Sequence, residues 1–148
     1  MREEQQVNDY ERPGFKFLIR VRDIQSEIDA LRLAKERAEA DAMRTVASLT
    51  GMPSSPSKDP HKFDNIADLA KQIDDLIDDK YQTMSDVLAV IRSIEVRRYR
   101  VMLIEYFING RTWEAAAEQV GISDRHLRRI KAEAYAAVEE HLPLDKEN

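Results

Sequence analysis

Three arginines near the end of the chain have the type and the spacing to bind a nucleic acid: Arg125, Arg128 and Arg129. At about 100° per residue they lie on one side of a helix, opposite an apolar stripe that includes Leu127 and Ile130. A guanidinium group can donate two hydrogen bonds to guanine O6 and N7, or it can hold a phosphate. We therefore expect these side chains to contact double-stranded DNA. The other candidate contacts are Ser123, His126, Lys131, Arg111 and Thr112, and beyond them Arg97, Arg98 and Arg100.

The charge of the chain is divided between two regions of opposite sign. The formal net charge is -5, but residues 92–131 contain nine basic and five acidic residues, which gives +4. The rest of the chain contains 14 basic and 23 acidic residues, which gives -9. Screening limits the influence of distant acidic groups to about 10 Å at ordinary salt, so a local positive region can still bind phosphates. This division favours a basic DNA-binding module on an acidic helical arm.

The arginines follow two short helical patterns that flank a turn at Gly121. Thr112 has the side chain of a good N-cap for the first pattern, and Ser123 has one for the second. Ala117 is small enough to let two helices cross closely, and glycine accepts the positive φ of the turn without strain. The spacing predicts a helix-turn-helix, with residues 123–138 as the recognition helix in the major groove. The apolar positions that would hold it together are Trp113, Ala116, Ala117, Val120, Leu127, Ile130, Ala134 and Val138.

Residues 99–138 carry a combination of side chains that is typical of a known family. The matching residues are Tyr106, Gly110, Thr112, Trp113, Glu114, Ala116, Ala117, Val120, Gly121, Ile122, Ser123, Leu127, Arg128, Ile130, Lys131, Ala134 and Tyr135. This run resembles region 4 of bacterial sigma factors, and still more the small phage-encoded regulators of the autolysin-regulator type. The resemblance implies promoter recognition in the major groove, with contact to RNA polymerase or its sigma factor. Residues 1–92 lack the aromatic, basic segment with which sigma factors hold polymerase, which favours a phage or prophage transcription regulator.

The segments upstream predict a long helical arm. Apolar residues recur every three or four positions from Phe15 to about Leu49, and again from Asp64 to about Ser93. Residues 50–62 contain three prolines and a glycine, which predicts a connection, and Asp64-Asn65 offers an N-cap for the second helix. Two helices of similar length joined in this way predict an antiparallel hairpin. Because two helices alone bury a single seam, we expect the arm to pair with a second copy as a homodimer.

The chain as a whole is predicted to be all-α, because long stretches of helix-forming residues contain few breakers. A third helix is expected from Glu95 to Ile108, and it should end at Gly110, which accepts the left-handed conformation of a helix C-terminus. The predicted organisation is a flexible leader at 1–14, a hairpin arm at 15–93 with a loop at 50–62, a helix-turn-helix domain at 94–142 and a tail at 143–148.

Composition excludes several classes of protein and site. Cysteine is absent, so there are no disulfides or thiolate sites. No apolar run approaches the ~20 residues that cross a bilayer, and the start lacks an apolar signal region, so we expect a cytoplasmic protein that does not contact membranes. His61, His126 and His141 have no metal-ligand spacing. With no catalytic arrangement or glycine-rich phosphate loop visible, we expect no enzymatic activity, cofactor or metal.

Two other classes stay open at the level of sequence. Small terminase subunits of phages also join a helix-turn-helix to a coiled-coil oligomerisation arm, and a ring of subunits would distinguish such a packaging protein from a dimeric regulator. All-α nucleotide pyrophosphohydrolases hold magnesium with carboxylates at helical i, i+3 spacing, and Glu36/Glu39 with Asp75/Asp78 have this spacing. Acidic pairs on a long exposed helix are more often solubilising, which makes the enzyme the weaker alternative.

Overall fold

The structure, a computed structural model, describes residues 8–49 and 61–143, and every regular element in these ranges is helical. The all-α prediction is thereby confirmed. None of the described helices combines the length and the apolar composition needed to cross a bilayer. In chain order the elements are a 3-10 turn Asp9–Glu11, α1 Pro13–Leu49, α2 His61–Arg92, α3 Arg97–Leu103, a π-helical turn Ile104–Ile108, α4 Trp113–Gln119 and α5 Asp124–His141.

The two long helices both begin earlier than their sequences predict. Helix α1 starts at Pro13 rather than at Phe15, because proline is well suited to the first helical position, where its missing N–H would be unpaired in any case. Helix α2 starts at His61, and Asp64 lies in its first turn instead of capping it. A carboxylate is favoured there by the helix dipole. Residues 50–60 of the expected loop lie outside the described residues.

A short turn separates α2 from α3, so the two do not form one continuous helix. The amide of Ser93 donates to the Val90 carbonyl at 3.1 Å, and Val96 has the extended backbone of a residue preceding a helix. Arg100 Nη1 donates to the carbonyl oxygens of Ile94 and Glu95 at 2.6 and 2.9 Å. These bonds satisfy two carbonyl groups of the turn itself. Arg100 is thus committed to holding the turn.

The backbone contacts divide the chain into two compact units. The first unit consists of Met1–Asp23 together with Gln82–Asn148, and the second consists of Ile24–Tyr81. The boundary that we expected near residue 93, between the arm and the C-terminal domain, does not coincide with this division. The beginning of α1 and the end of α2 belong with the C-terminal helices, because their apolar residues contribute to the same core.

The buried core cluster of the first unit draws side chains from α1, α2, α3 and α5, and Trp113 of α4 packs against it. The buried side chains of this cluster are Leu18 and Val21 from α1, Val87 and Ile91 from α2, Ile94 from the turn, Leu103 from α3, Phe107, and Ala134, Tyr135 and Val138 from α5. Phe107 lies at its centre and makes edge-to-face contacts with the rings of Phe15, Trp113 and Tyr135. Such contacts stabilise an aromatic cluster beyond the area that it buries.

The second unit buries much less apolar surface. Among its described residues, the buried apolar side chains are Ile28 and Ala42 of α1 and Ile73 of α2. Lys80 Nζ donates to Gln25 Oε1 at 2.5 Å and joins the two helices at one end of the unit. Large apolar side chains remain exposed in this unit: Leu33, Met43 and Val46 on α1, and Phe63 and Tyr81 on α2.

The described part of the expected leader is held against α5 and is not loose. Arg12 Nη2 lies 2.5 Å from Glu139 Oε1, and Arg12 Nη1 donates to the Ala132 carbonyl at 3.2 Å. The amide of Gly14 donates to Glu139 Oε2 at 3.2 Å. A polar carboxylate on the last helix thus fastens the first residues of α1, which no local pattern would show. Residues 1–7 of the expected leader, and 144–148 of the expected tail, lie outside the described residues.

Candidate nucleic-acid interface

Helix α4 begins where the sequence places its cap. The Thr112 hydroxyl accepts a hydrogen bond from the Ala115 amide at 3.1 Å, and the Thr112 carbonyl accepts one from Ala116 at 3.0 Å. The side chains of Ala116 and Ala117 are completely buried. The predicted apolar face of this helix therefore packs inward, with Trp113 and Val120 partly buried beside the alanines.

The turn between α4 and α5 depends on a glycine with positive φ. Gly121 has φ +72, and a Cβ placed there would meet no atom within 4 Å. Glycine is therefore required at this position by its backbone conformation and not by a lack of space. The carbonyl of Ala117 accepts hydrogen bonds from the amides of Val120 at 3.2 Å and Ile122 at 2.9 Å, which closes the end of α4. Gly110, at φ +71, ends the preceding π-helical turn in the same way.

Helix α5 presents one buried stripe to the core. Ile130, Ala134 and Val138 are buried as predicted, and Leu127 is partly buried. Tyr135 is buried as well, although it lies outside the predicted stripe. Burial raises the pKa of its phenol far above the ordinary value, with smaller contributions from neighbouring charges that include Asp9.

The arginines predicted to bind DNA are exposed on the face opposite this stripe. Arg125, His126, Arg128 and Arg129 all project into solvent. Within the part of the chain that the structure describes, the side chains of Arg125, His126 and Arg128 make no hydrogen bond, ion pair or ring contact. Arg129 Nε lies 3.9 Å from Glu133 Oε1, a long and exposed ion pair that holds it weakly. We call Arg125, His126, Arg128 and Arg129 the arginine face.

Charge is distributed unevenly along α5. Residues 124–131 contain four basic residues and one acidic residue, whereas residues 132–141 contain three acidic residues and no lysine or arginine. Positive charge therefore coincides with the N-terminal half of the helix, which is the half that carries the arginine face. Phosphate groups would be attracted to this half and repelled by the other.

The remaining predicted contacts differ in how free they are. The Ser123 residue precedes α5 as its cap, but its exposed side chain makes no capping hydrogen bond, so the hydroxyl is available. The Thr112 hydroxyl, in contrast, already accepts from Ala115. Arg111 Nε lies 2.9 Å from Glu105 Oε2 and is occupied by that ion pair. Lys131 is only 21% exposed, lies 3.7 Å from an Asp9 carboxylate oxygen, and is therefore not a freely available phosphate contact.

A column of stacked side chains, which the sequence did not reveal, fixes the start of α4. The rings of Tyr106 and Trp113 stack with centroids 4.0 Å apart and planes 11° from parallel. The Arg22 guanidinium lies 4.2 Å above Tyr106, and Lys131 Nζ lies 4.7 Å from the Trp113 centroid. A cation over each outer ring face stabilises such a pair. The column connects α1, the π-helical turn, α4 and α5, so it positions the arginine face relative to the rest of the unit.

The carboxylates considered for a magnesium site are not gathered into one. Among the residues that the structure describes, no group of three or more histidine, aspartate or glutamate side chains is placed to hold a metal ion. Glu39 is instead paired with Lys35 at 2.6 Å on the same helix. Asp75 and Asp78 are exposed, as expected for solubilising residues.

No protein-family model, curated protein or solved structure matches this chain. The case for its function therefore depends on the geometry and the charge of its own residues.

Proposed function

We propose that this protein is a sequence-specific DNA-binding transcription regulator in which α4 and α5 form a helix-turn-helix and α5 enters the major groove. The observation that carries the proposal is the arginine face. It stands exposed on the N-terminal half of α5, while the opposite side of the same helix is buried in the core. The side chains that would reach DNA are thus mounted on a helix that cannot rotate.

The dimensions of α5 suit this role. The major groove is about 12 Å wide and admits one α-helix, and the eight residues 124–131 span about 12 Å of helix. Arg125, Arg128 and Arg129 lie within an arc of about 100° at 3.6 residues per turn, so all three can face the groove together. The free Ser123 hydroxyl and the unpaired amides at the start of α5 are suited to a phosphate.

The second unit supports a homodimer as part of the proposal. Two helices with three buried apolar side chains among the described residues have little core of their own. Phe63 and Tyr81 are 66% and 64% exposed, and at 3.6 residues per turn their 18-residue separation places them on the same side of α2. A second copy that covered this side, with the α1–α2 hairpin as the shared arm, would bury both rings. Two recognition helices would then read half-sites about one DNA turn or a multiple apart.

RNA polymerase or its sigma factor is the proposed protein partner, and a phage or prophage origin and a cytoplasmic location complete the proposal. What supports this part is the resemblance of residues 99–138 to sigma-factor region 4. DNA binding is supported separately, by the exposed arginine face, and does not require this resemblance.

The decisive experiment selects binding sites for the full chain from random duplex DNA, with and without RNA polymerase, and then measures affinity and its salt dependence. The variant Arg125→Ala/Arg128→Ala/Arg129→Ala should lose specific binding, since each bidentate base contact contributes about 1–3 kcal/mol of discrimination. The slope of log affinity against log salt concentration should fall by about 1 for each removed arginine that contacts a phosphate.

The matched control removes three other exposed arginines, Arg32→Ala/Arg37→Ala/Arg44→Ala, which changes the net charge by the same amount. The control should keep its sequence preference. If the two variants bind the selected DNA equally well with equal salt slopes, the arginine face is not the contact surface. Sedimentation of the free protein measures its oligomeric state and distinguishes the two classes of DNA-binding protein. A dimer fits a transcription regulator, whereas a ring of many subunits would favour the packaging protein.

A further inference from the structure

A groove on the first unit combines an acidic rim with an apolar floor. It lies between the turn after α2, helix α3 and the C-terminal half of α5, and it has a volume of ≈ 460 Å³. We call it the acidic groove. Its rim carries three carboxylates, Glu95, Glu133 and Glu140, and its floor includes Val96, Ala136 and Ala137.

None of the residues lining the groove is a lysine or an arginine, and of the three rim carboxylates Glu133 has a long, exposed ion pair with Arg129 at 3.9 Å. The carboxylates of Glu95 and Glu140 have no hydrogen-bond or ion-pair partner within the described ranges 8–49 and 61–143. Glu133 accepts a hydrogen bond from the Tyr99 hydroxyl, which holds it in place at the edge. Three like charges around one depression favour a positively charged ligand and repel phosphate. The groove is therefore not an extension of the DNA-binding surface.

The floor of the groove is suited to an apolar side chain. Val96 is 41% exposed although it is a large apolar residue, and Ala136 beside it is also exposed. Alanines at consecutive positions leave room for a chain to approach α5 closely. An apolar floor within a charged rim is the pattern of an interface with an apolar centre and a polar edge.

We propose that the acidic groove binds a basic amphipathic segment of a partner protein. An apolar side chain of that segment lies on Val96 and Ala136, and its lysine or arginine side chains pair with Glu95, Glu133 and Glu140. This goes beyond DNA binding and does not depend on it. Glu140 lies 15 residues from Arg125 on α5, or about 22 Å at 1.5 Å per residue, whereas Glu133 at the near edge of the groove contacts Arg129 of the arginine face.

The test is a selection of binders to the full chain from a random peptide library displayed on phage. The selected peptides are then synthesised and titrated by fluorescence anisotropy. They should contain lysine or arginine on both sides of an apolar residue, and they should bind more weakly as salt increases. On isotope-labelled protein, their addition should shift the NMR amide signals of Val96, Ala136 and Ala137.

Two groove variants and one control make the result specific. Glu95→Gln/Glu133→Gln/Glu140→Gln should weaken peptide binding about tenfold or more, because three exposed ion pairs are lost. The control Asp75→Asn/Asp78→Asn/Asp79→Asn removes the same charge from exposed positions in the second unit and should bind normally. Ala136→Arg, which touches none of the hydrogen bonds of Glu133, should also abolish binding. Circular dichroism shows whether each variant is folded.

Several outcomes would overturn the proposal. One is a set of selected peptides without basic residues, and another is binding that neither groove variant weakens. If peptides bind only after residues 144–148 are deleted, the occupant is the chain's own C-terminus. If the peptides compete with self-association in sedimentation, the occupant is a second copy.

Discussion

The attachment of the N-terminal segment to α5 can be tested by removing one carboxylate. Glu139 accepts from Arg12 Nη2 at 2.5 Å and from the Gly14 amide at 3.2 Å, and the side chains of Arg12 and Glu139 are only 18% and 24% exposed. Hydrogen bonds to charged groups contribute about 1.5–3 kcal/mol, and an unpaired amide costs about 1–3 kcal/mol. Because water can replace part of these contacts, we expect Glu139→Ala to lower the free energy of unfolding by about 2 kcal/mol.

A double-mutant cycle separates this pair from the other contacts of Arg12. That side chain also donates to the Ala132 carbonyl and lies 5.7 Å from the Tyr135 ring centroid, so Arg12→Ala should cost more than the pair alone. The coupling between Arg12→Ala and Glu139→Ala should be about 1 kcal/mol, measured by urea unfolding of the four proteins. Additive effects, with coupling below about 0.3 kcal/mol, would refute the idea that this ion pair fastens the segment.

The pH dependence of stability gives a second readout of the same pair. Desolvation raises the pKa of Glu139, but hydrogen bonds from Arg12 and Gly14 and the charge of Arg12 lower it, and the net pKa lies below the ordinary value of 4.5. A carboxylate with a lowered pKa stabilises the fold above its unfolded pKa, and this contribution disappears as pH falls through the folded value. The stability difference between the protein and Glu139→Gln should therefore be constant well above pH 4.5 and shrink below it. A difference that does not change with pH would contradict this assignment.

Three further predictions follow from the turn, the helix contact and the shared core. Gly121→Val should lower the melting midpoint because its φ of +72 is strained for a β-branched residue by about 1–2 kcal/mol, whereas Gly121→Asn should cost less; equal midpoints would contradict the turn. Gly14→Ala should destabilise by about 1–3 kcal/mol, measured by thermal unfolding, because its Cβ would lie 3.0 Å from the Tyr135 carbonyl oxygen; increased stability would mean that α1 can shift away. Residues 94–148 expressed alone should unfold at lower urea concentration than the full chain, because they lack the core side chains of α1 and α2, such as Leu18 and Ile91; an unchanged midpoint would mean that these side chains are dispensable.

Sequence reasoning succeeded where the structural requirement is local. The Thr112 cap and the positive φ of Gly110 and Gly121 each follow from the chemistry of one residue and its immediate neighbours. The buried stripe of α5 followed from helical periodicity alone. This periodicity also predicted that Arg125, Arg128 and Arg129 lie on the exposed side of α5.

Features that depend on distant residues were missed. Arg12 and Glu139 are separated by 127 positions, and neither has a neighbour that indicates the other. Leu18 and Val87 are completely buried because the first unit packs α1 and α2 against further helices, which a single seam between two helices does not indicate. The contact of Lys131 with Asp9 was missed because these two residues are also far apart in the sequence. A periodic pattern shows which face of a helix is apolar, but not how many partners cover it.

The packing of α1 and α5 into one core has a consequence for how the protein is made. Leu18 and Val21 leave the ribosome long before Tyr135 and Val138, yet all four belong to one cluster. The apolar side chains at the start of α1 therefore lack these partners until α5 has been translated. Pairing of residues so far apart slows folding and exposes apolar surface to aggregation or to chaperones in the meantime. A message truncated before α5 would yield a chain that cannot complete this core.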